Sequence, residues 1–318
     1  MARLCSPENA PCGGTKRRGG GFASFFFGRS WVKYWIVSDQ YALGLTVEQR
    51  GMLRSASVTL LDAVGGRTGE RAWRQLAPGG QRAFSSSARI GVRSRNSAVT
   101  FQLDGSARRV FGCAERWAED QPLLFDLRLT GWPGVVAAFQ TPFPGRARWF
   151  VTGVLRAEGR TEIGGEEYLF APAHSLGLAE EGTGVFRGWP PMDHAAAAGW
   201  IDGAPAALLL DGASQENVLM MGGRAWKLGL GTWGDPGPVS PGQAMQSAAY
   251  RQFISTDGRV ALTFEPLTEQ RGMRRRLFRR GAEKIQVFGR FSGQIRLDNG
   301  RTLTLRRMSG VMLRHPGE

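Results

Sequence analysis

Turn dipeptides punctuate this chain too often for long helices. Beyond residue 200, Asp202-Gly203, Asp211-Gly212, Gly222-Gly223 and Asp257-Gly258 separate short apolar runs (AALLLD, NVLMM, AWKLGL, YRQFI, RVALTF) at spacings of roughly ten residues. A helix needs about ten uninterrupted residues to present a packed face, whereas a strand needs only about five. With 45 glycines and 10% aromatic residues in 318 positions, the reading is an all-β meander that closes into barrels or sandwiches. That length suits one large domain or two medium ones.

The first half repeats the pattern. WVKYWIV and YALGLTV, parted by a Ser-Asp-Gln turn, read as paired strands because aromatic and β-branched residues fit a pleated surface. AVTFQLD alternates Val99, Phe101 and Leu103 with polar neighbours, and Asp104-Gly105 turns it into RRVFG. In LLFDLRLTG, Leu123, Phe125, Leu127 and Leu129 share one face while Asp126 and Arg128 take the other. TEI, Gly164-Gly165 and EEYLF form another hairpin. The composition breaks near Gly159, so the expected organisation is a mobile arm over residues 1–30 and two coupled lipocalin-like halves, 31–160 and 161–318. Similar phrases in the two halves, FQLDG and IRLDNG, hint at duplication.

The C-terminal stretch is the most regular. Ile285, Val287, Phe291, Ile295 and Leu297 share one parity, with Gly289 and Gly293 between them. A two-residue Asn299-Gly300 loop would pair Arg296 with Leu303 and mix the faces. A three-residue loop, Asp298-Asn299-Gly300, pairs Ile295 with Leu303 and Gly293 with Leu305, and requires a left-handed Gly300. The phrase QVFGRFSGQIRLDNG, together with WVKYWIVSDQYALGLTV, resembles the bacterial domain-of-unknown-function family 2804, from about Leu4 to the end. A looser likeness of architecture leads to lipocalin-like double barrels of the carotenoid hydratase type, which handle long apolar molecules. The family resemblance implies no assigned activity. It does imply a central segment reading Leu-Asp-Trp-Gly-Arg-Gly, which falls here on Ala179–Gly184, so that Glu180 takes the acid's place while Glu181 and Thr183 replace the tryptophan and the arginine.

That segment belongs to the one stretch that gathers chemistry, Leu176 to Trp200, which holds Glu180, Glu181, Arg187, Trp189, Asp193 and one of the three histidines, His194. The adjacent carboxylates read first as solvated loop charges. Buried in an apolar barrel, a carboxyl would instead be pushed towards donating a proton at neutral pH, and a histidine beside it would complete an acid–base pair suited to hydrating, dehydrating or isomerising an alkene. Glu180 and His194 are the candidate acid and base, with Asp193 in reserve. Trp189, Trp200 and Arg187 are candidate ligand contacts, although a core-filling role suits either tryptophan equally.

The remaining features narrow the partners. The net charge of +14 rests on arginine, since only four of the 41 basic residues are lysines (Lys16, Lys33, Lys227, Lys284), a skew that codon usage alone can produce. The densest cluster, Arg271 to Arg280, fits a solvated face better than a nucleic-acid or anionic-membrane contact. Cys5, Cys12 and Cys113 have neither disulfide nor zinc spacing, so no metal or cofactor is expected. No apolar run is long enough for a spanning helix, and a soluble cytoplasmic protein is expected. The leading expectation is a carrier of a hydrophobic small molecule such as a lipid or terpenoid. A hydratase, isomerase or cyclase comes second, and a basic-surface binder third.

Overall fold

The computed structural model describes residues 3–5, 28–77, 89–104, 107–118, 120–131, 136–143, 146–185, 192–212, 216–234, 251–273 and 283–315. Every regular element among them is a strand, and the strands form two antiparallel sheets of 13 and nine strands. The first sheet holds β1 (Arg3–Cys5), β2 (Gly28–Val37), β3 (Tyr41–Arg50), β4 (Leu53–Asp62), β5 (Thr68–Leu76), β6 (Arg89–Arg93) and β7 (Ala98–Asp104). It continues with β8 (Ala107–Ala118), β9 (Gln121–Thr130), β10 (Val136–Phe143), β11 (Arg146–Ile163), β12 (Glu166–Phe170) and β13 (Leu176–Val185). The second holds β14 (Met192–Ile201), β15 (Ala204–Asp211), β16 (Val218–Met221), β17 (Arg224–Lys227), β18 (Gly231–Gly234), β19 (Arg251–Ser255), β20 (Val260–Met273), β21 (Glu283–Arg296) and β22 (Thr302–His315). The chain leaves the first sheet after Val185 and enters the second at Met192, while Gly159 lies inside the 18-residue β11. Of the arm expected over 1–30, all but residues 3–5 and 28–30 lies outside the described residues.

The first sheet runs β5-β4-β3-β2-β13-β11-β9-β8-β7-β6. On a flat sheet, β2 and β7 would be about 24 Å apart at ~4.8 Å per strand. The rings of Tyr34 on β2 and Phe101 on β7 nevertheless lie 5.3 Å apart, so the sheet curls and this face is the concave one. Its two end strands meet as well: the Trp73 indole on β5 donates to the Val92 carbonyl on β6 at 3.1 Å, and the Arg93 amide donates to Gln75 at 2.7 Å. The alternation read in β9 holds, with Leu123, Phe125, Leu127 and Leu129 buried between exposed neighbours.

The second sheet runs β17-β16-β15-β14-β22-β21-β20-β19-β18 and curls in the same way. The Trp233 indole on β18 donates to the Asp193 carbonyl on β14 at 3.1 Å, although five strand spacings separate them in the sheet order. Phe253, Phe264, Phe291, Leu262 and Met312 fill the enclosed core, and Gly231 and Gly289 leave room for the rings of Phe253 and Phe264. Each buried side chain of this size contributes about 1.5–3 kcal/mol. GTWG forms β18, because Gly231 admits the Phe253 ring and Trp233 packs on Phe253 and Phe291.

The turns follow the dipeptides. Gly164-Gly165, Asp202-Gly203 and Gly222-Gly223 all have positive φ at both positions, as a two-residue hairpin turn of the matching twist demands. The C-terminal hairpin pairs Ile295 with Leu303 and Gly293 with Leu305, and Gly300 has φ +83. Between Phe291 and Gly293 the register slips, because β22 carries an extra residue at Arg307, with φ +55. The slip switches the core-facing parity of β22 from Leu303 and Leu305 to Met308 and Met312.

Candidate functional site

Strand alternation governs the central stretch. The adjacent acids are not loop charges: they sit in β13, whose successive residues point to opposite faces, and Glu180 and Glu181 are 7% and 4% exposed. LGLAEEGTGV has too few large apolar residues to announce a strand, which is why it reads as a loop. Pairing with β2 on one side and β11 on the other nonetheless buries it.

Glu181 faces the concavity of the first sheet. There Arg108 on β8 donates from one guanidinium nitrogen to both Glu181 Oε1 and the Tyr34 hydroxyl, and Tyr34 in turn donates to Glu181 at 3.3 Å. The Arg108 and Glu181 side chains are 8% and 5% exposed, so this is an ion pair removed from water. Burial works against the charged guanidinium, but Tyr34 and Glu181 outweigh it and raise the Arg108 pKa. Burial, with the Glu181 charge adding to it, pushes the Tyr34 phenol well above its usual range and keeps it a neutral donor. Glu181 Oε2 is buried without a donor among the described residues. The surroundings are apolar: Val32, Phe101, Val110, Leu127 and Ala179 are all buried.

Glu180 takes the opposite face. Its Oε1 accepts the Trp31 indole N–H at 2.9 Å, and its backbone neighbours in the sheet are Lys33 and Thr152. Further along this face of β2, Arg29 is 1% exposed and lies 3.3 Å from Glu48. The Lys33 ammonium sits 6.0 Å from the Trp35 ring.

The other candidates belong to the second sheet. His194 is 3% exposed on β14, on the face away from the aromatic core, with Asp211 and Leu313 as its cross-strand neighbours. Asp193 has the core-side parity, and its two oxygens are taken by Arg251 at 2.6 Å and Arg314 at 3.1 Å. It ties β14 to β19 and β22. Trp200 shares the parity of His194 and is 37% exposed at the end of β14. Thus Glu180 and His194 stand on different sheets, whereas His194, Asp193 and Trp200 share one strand. Arg187 and Trp189 lie outside the described residues, as does all of the Arg271–Arg280 cluster except its first three positions. Among the described residues, no group of three His, Cys, Asp or Glu side chains is placed to hold a metal ion.

Sequence reasoning missed Arg108 and Tyr34. A signal was present: in RRVFG, Arg108 has the parity of the fully buried Val110, so a charge occupies a position that the alternation reserves for apolar residues. Its partners come from strands about 70 residues away in either direction, which no local pattern reveals.

No curated protein matches the chain. Among solved structures, CghA solved with Sch210972 superposes with a TM-score of 0.54 at 9% identity, over 90% of this chain and 87% of that one. Kievitone hydratase from Nectria haematococca gives 0.54 at 10% identity, over 93% and 92%. A putative AttH from Nitrosomonas europaea gives 0.53 at 14%, over 94% and 98%. At such identities the likeness is one of fold. The family model described as a domain of unknown function, DUF2804, matches residues 23–315, and the chain therefore belongs to the DUF2804 family.

Proposed function

We propose that this protein binds a hydrophobic small molecule of lipid or terpenoid type in the concavity of the first sheet, with the ligand's polar end at Tyr34, Arg108 and Glu181. The observation that carries this reading is the charged cluster itself, buried in an otherwise apolar concavity. A buried ion pair is seldom worth its desolvation cost in stability, and a buried carboxylate oxygen without a donor calls for an explanation. A hydroxyl or carbonyl on an apolar ligand supplies one: Glu181 Oε2 accepts from the former, and the Arg108 guanidinium donates to the latter. The fold shared with CghA, solved with Sch210972, supports a binding role for such a concavity.

The test is displacement of an apolar fluorescent probe, N-phenyl-1-naphthylamine, by farnesol and by the corresponding hydrocarbon without the hydroxyl. Farnesol is expected to compete about tenfold better, the worth of one charged hydrogen bond, and Glu181→Gln should remove that advantage. Equal competition by the two, or no probe binding, would refute the assignment.

A second reading, an enzyme of hydratase, isomerase or cyclase type with the buried Glu180 as its acid, draws support from the fold shared with kievitone hydratase; His194, on the other sheet, is not assigned to the same site. In that case Glu180→Gln lowers turnover by about 10²-fold or more, with ligand affinity nearly unchanged. A variant with unaltered turnover would exclude it.

A further inference from the structure

The end strands of the first sheet, β5 and β6, are joined by side chains rather than by a backbone ladder, so their seam can open. At one end it does, where the Ser94–Ser97 turn between β6 and β7 faces an irregularity in β8 that places Arg116 at φ +51. The result is an open cleft of about 600 Å³ lined by Arg71, Trp73, Arg95, Asn96, Glu115 and Arg116, with Ala72 and two serines. Trp73 forms a rigid floor, since its indole is tied to Val92 and it is 7% exposed.

The charges in the cleft do not cancel. Three arginines face one glutamate. Arg116 lies 3.8 Å from Asp120, both of them largely exposed, a pairing of little strength. Neither Arg71 nor Arg95 has a carboxylate partner among the described residues, whereas Arg109, Arg128 and Arg160 of the same sheet are paired with Asp126, Glu158 and Glu167. Unpaired guanidinium groups converging on a concavity focus a positive potential, and their planar forks match phosphate oxygens.

We infer that this cleft is a binding site for a phosphorylated small molecule, separate from the concavity of the sheet. Arg71 and Arg95 hold the phosphate, and Asn96 and Glu115 meet hydroxyls on the body of the ligand. Glu115 disfavours a bare dianion and favours one that carries a hydrogen-bond donor.

The experiment is calorimetric titration of the full chain with glycerol 3-phosphate at about 0.15 M salt, where exposed charges are screened beyond ~8 Å. Three proteins are compared: wild type, Arg71→Ser/Arg95→Ser, and Arg128→Ser/Arg160→Ser, which loses the same charge from the same sheet outside the cleft. All five sites are exposed or part-exposed, and circular dichroism checks that each variant is folded. The cleft variant is expected to bind at least about tenfold more weakly, and the control within about twofold. Glu115→Gln should strengthen inorganic phosphate binding several-fold. No binding by wild type overturns the inference, as does equal weakening in both variants. Arginine-dependent binding confined to phosphatidylglycerol vesicles would assign the cleft to a membrane surface and also overturn it.

Discussion

Removing one member of the buried cluster should be far more damaging than removing all of it. Arg108→Met takes the cation from Glu181 at 5% exposure, and Glu181→Leu takes this carboxylate from Arg108 at 8%. Breaking a buried pair from one side costs about 3–5 kcal/mol, whereas replacing the whole group by apolar residues of similar volume is about neutral or stabilising by ~1–4 kcal/mol. The hydroxyl of Tyr34 bonds to both partners, so the full replacement is Tyr34→Phe/Arg108→Met/Glu181→Leu. Urea midpoints give the ranking. Because the chain forms two compact units, hydrogen exchange at β2 and β13 should localise the effect to the first unit. Both single variants are expected to lose most of the protection there, and the triple variant to keep it. A triple variant as unstable as the single ones would show that the cluster is a net stabiliser, and the reason for assigning it to a ligand would disappear.

Two further outcomes follow from local geometry. A Cβ on Gly289 would lie 2.2 Å from the Glu265 carbonyl oxygen and 2.6 Å from the Phe264 ring, so Gly289→Ala should cost about 3 kcal/mol as overpacking, read as a lower melting temperature. Gly300→Ala, which meets open space at φ +83, should cost only about 1 kcal/mol through backbone strain. At Asp257 burial raises the carboxyl pKa, but hydrogen bonds from Ser255 and Arg259 outweigh it and lower the value to about 2. A carboxyl held below its unfolded value of about 4 contributes stability that is present above that pH and is lost as pH falls through about 2. Asp257→Asn should therefore lower the melting temperature at pH 6, and by progressively less as pH falls towards and below about 2. A deficit that persists undiminished at pH 2 would contradict the linkage.

The strand content and several registers were legible because they rest on local rules. Alternation marks β7 and β9, glycine and aspartate mark the two-residue turns, and matching of faces selected the three-residue loop before Arg301. Three things were less legible. Leu176–Val185 hides its strand behind small residues, so its acids looked solvated. The strand in GTWG is held by an aromatic core built from distant segments. The cluster of Tyr34, Arg108 and Glu181 depends on the curl of a sheet, which brings together strands three and four places apart. Only the charge on an apolar parity at Arg108 hinted at it.

The central claim is that the concavity of the first sheet holds an apolar molecule by its polar end. Native mass spectrometry of the purified protein tests it most directly, with wild type beside the Tyr34→Phe/Arg108→Met/Glu181→Leu variant. The account predicts that wild type carries a small apolar compound, released by organic extraction, and that the equally folded variant carries none or much less. A wild-type protein of bare polypeptide mass that also takes up no lipid or terpenoid offered to it, or equal occupancy in the two proteins, would contradict it.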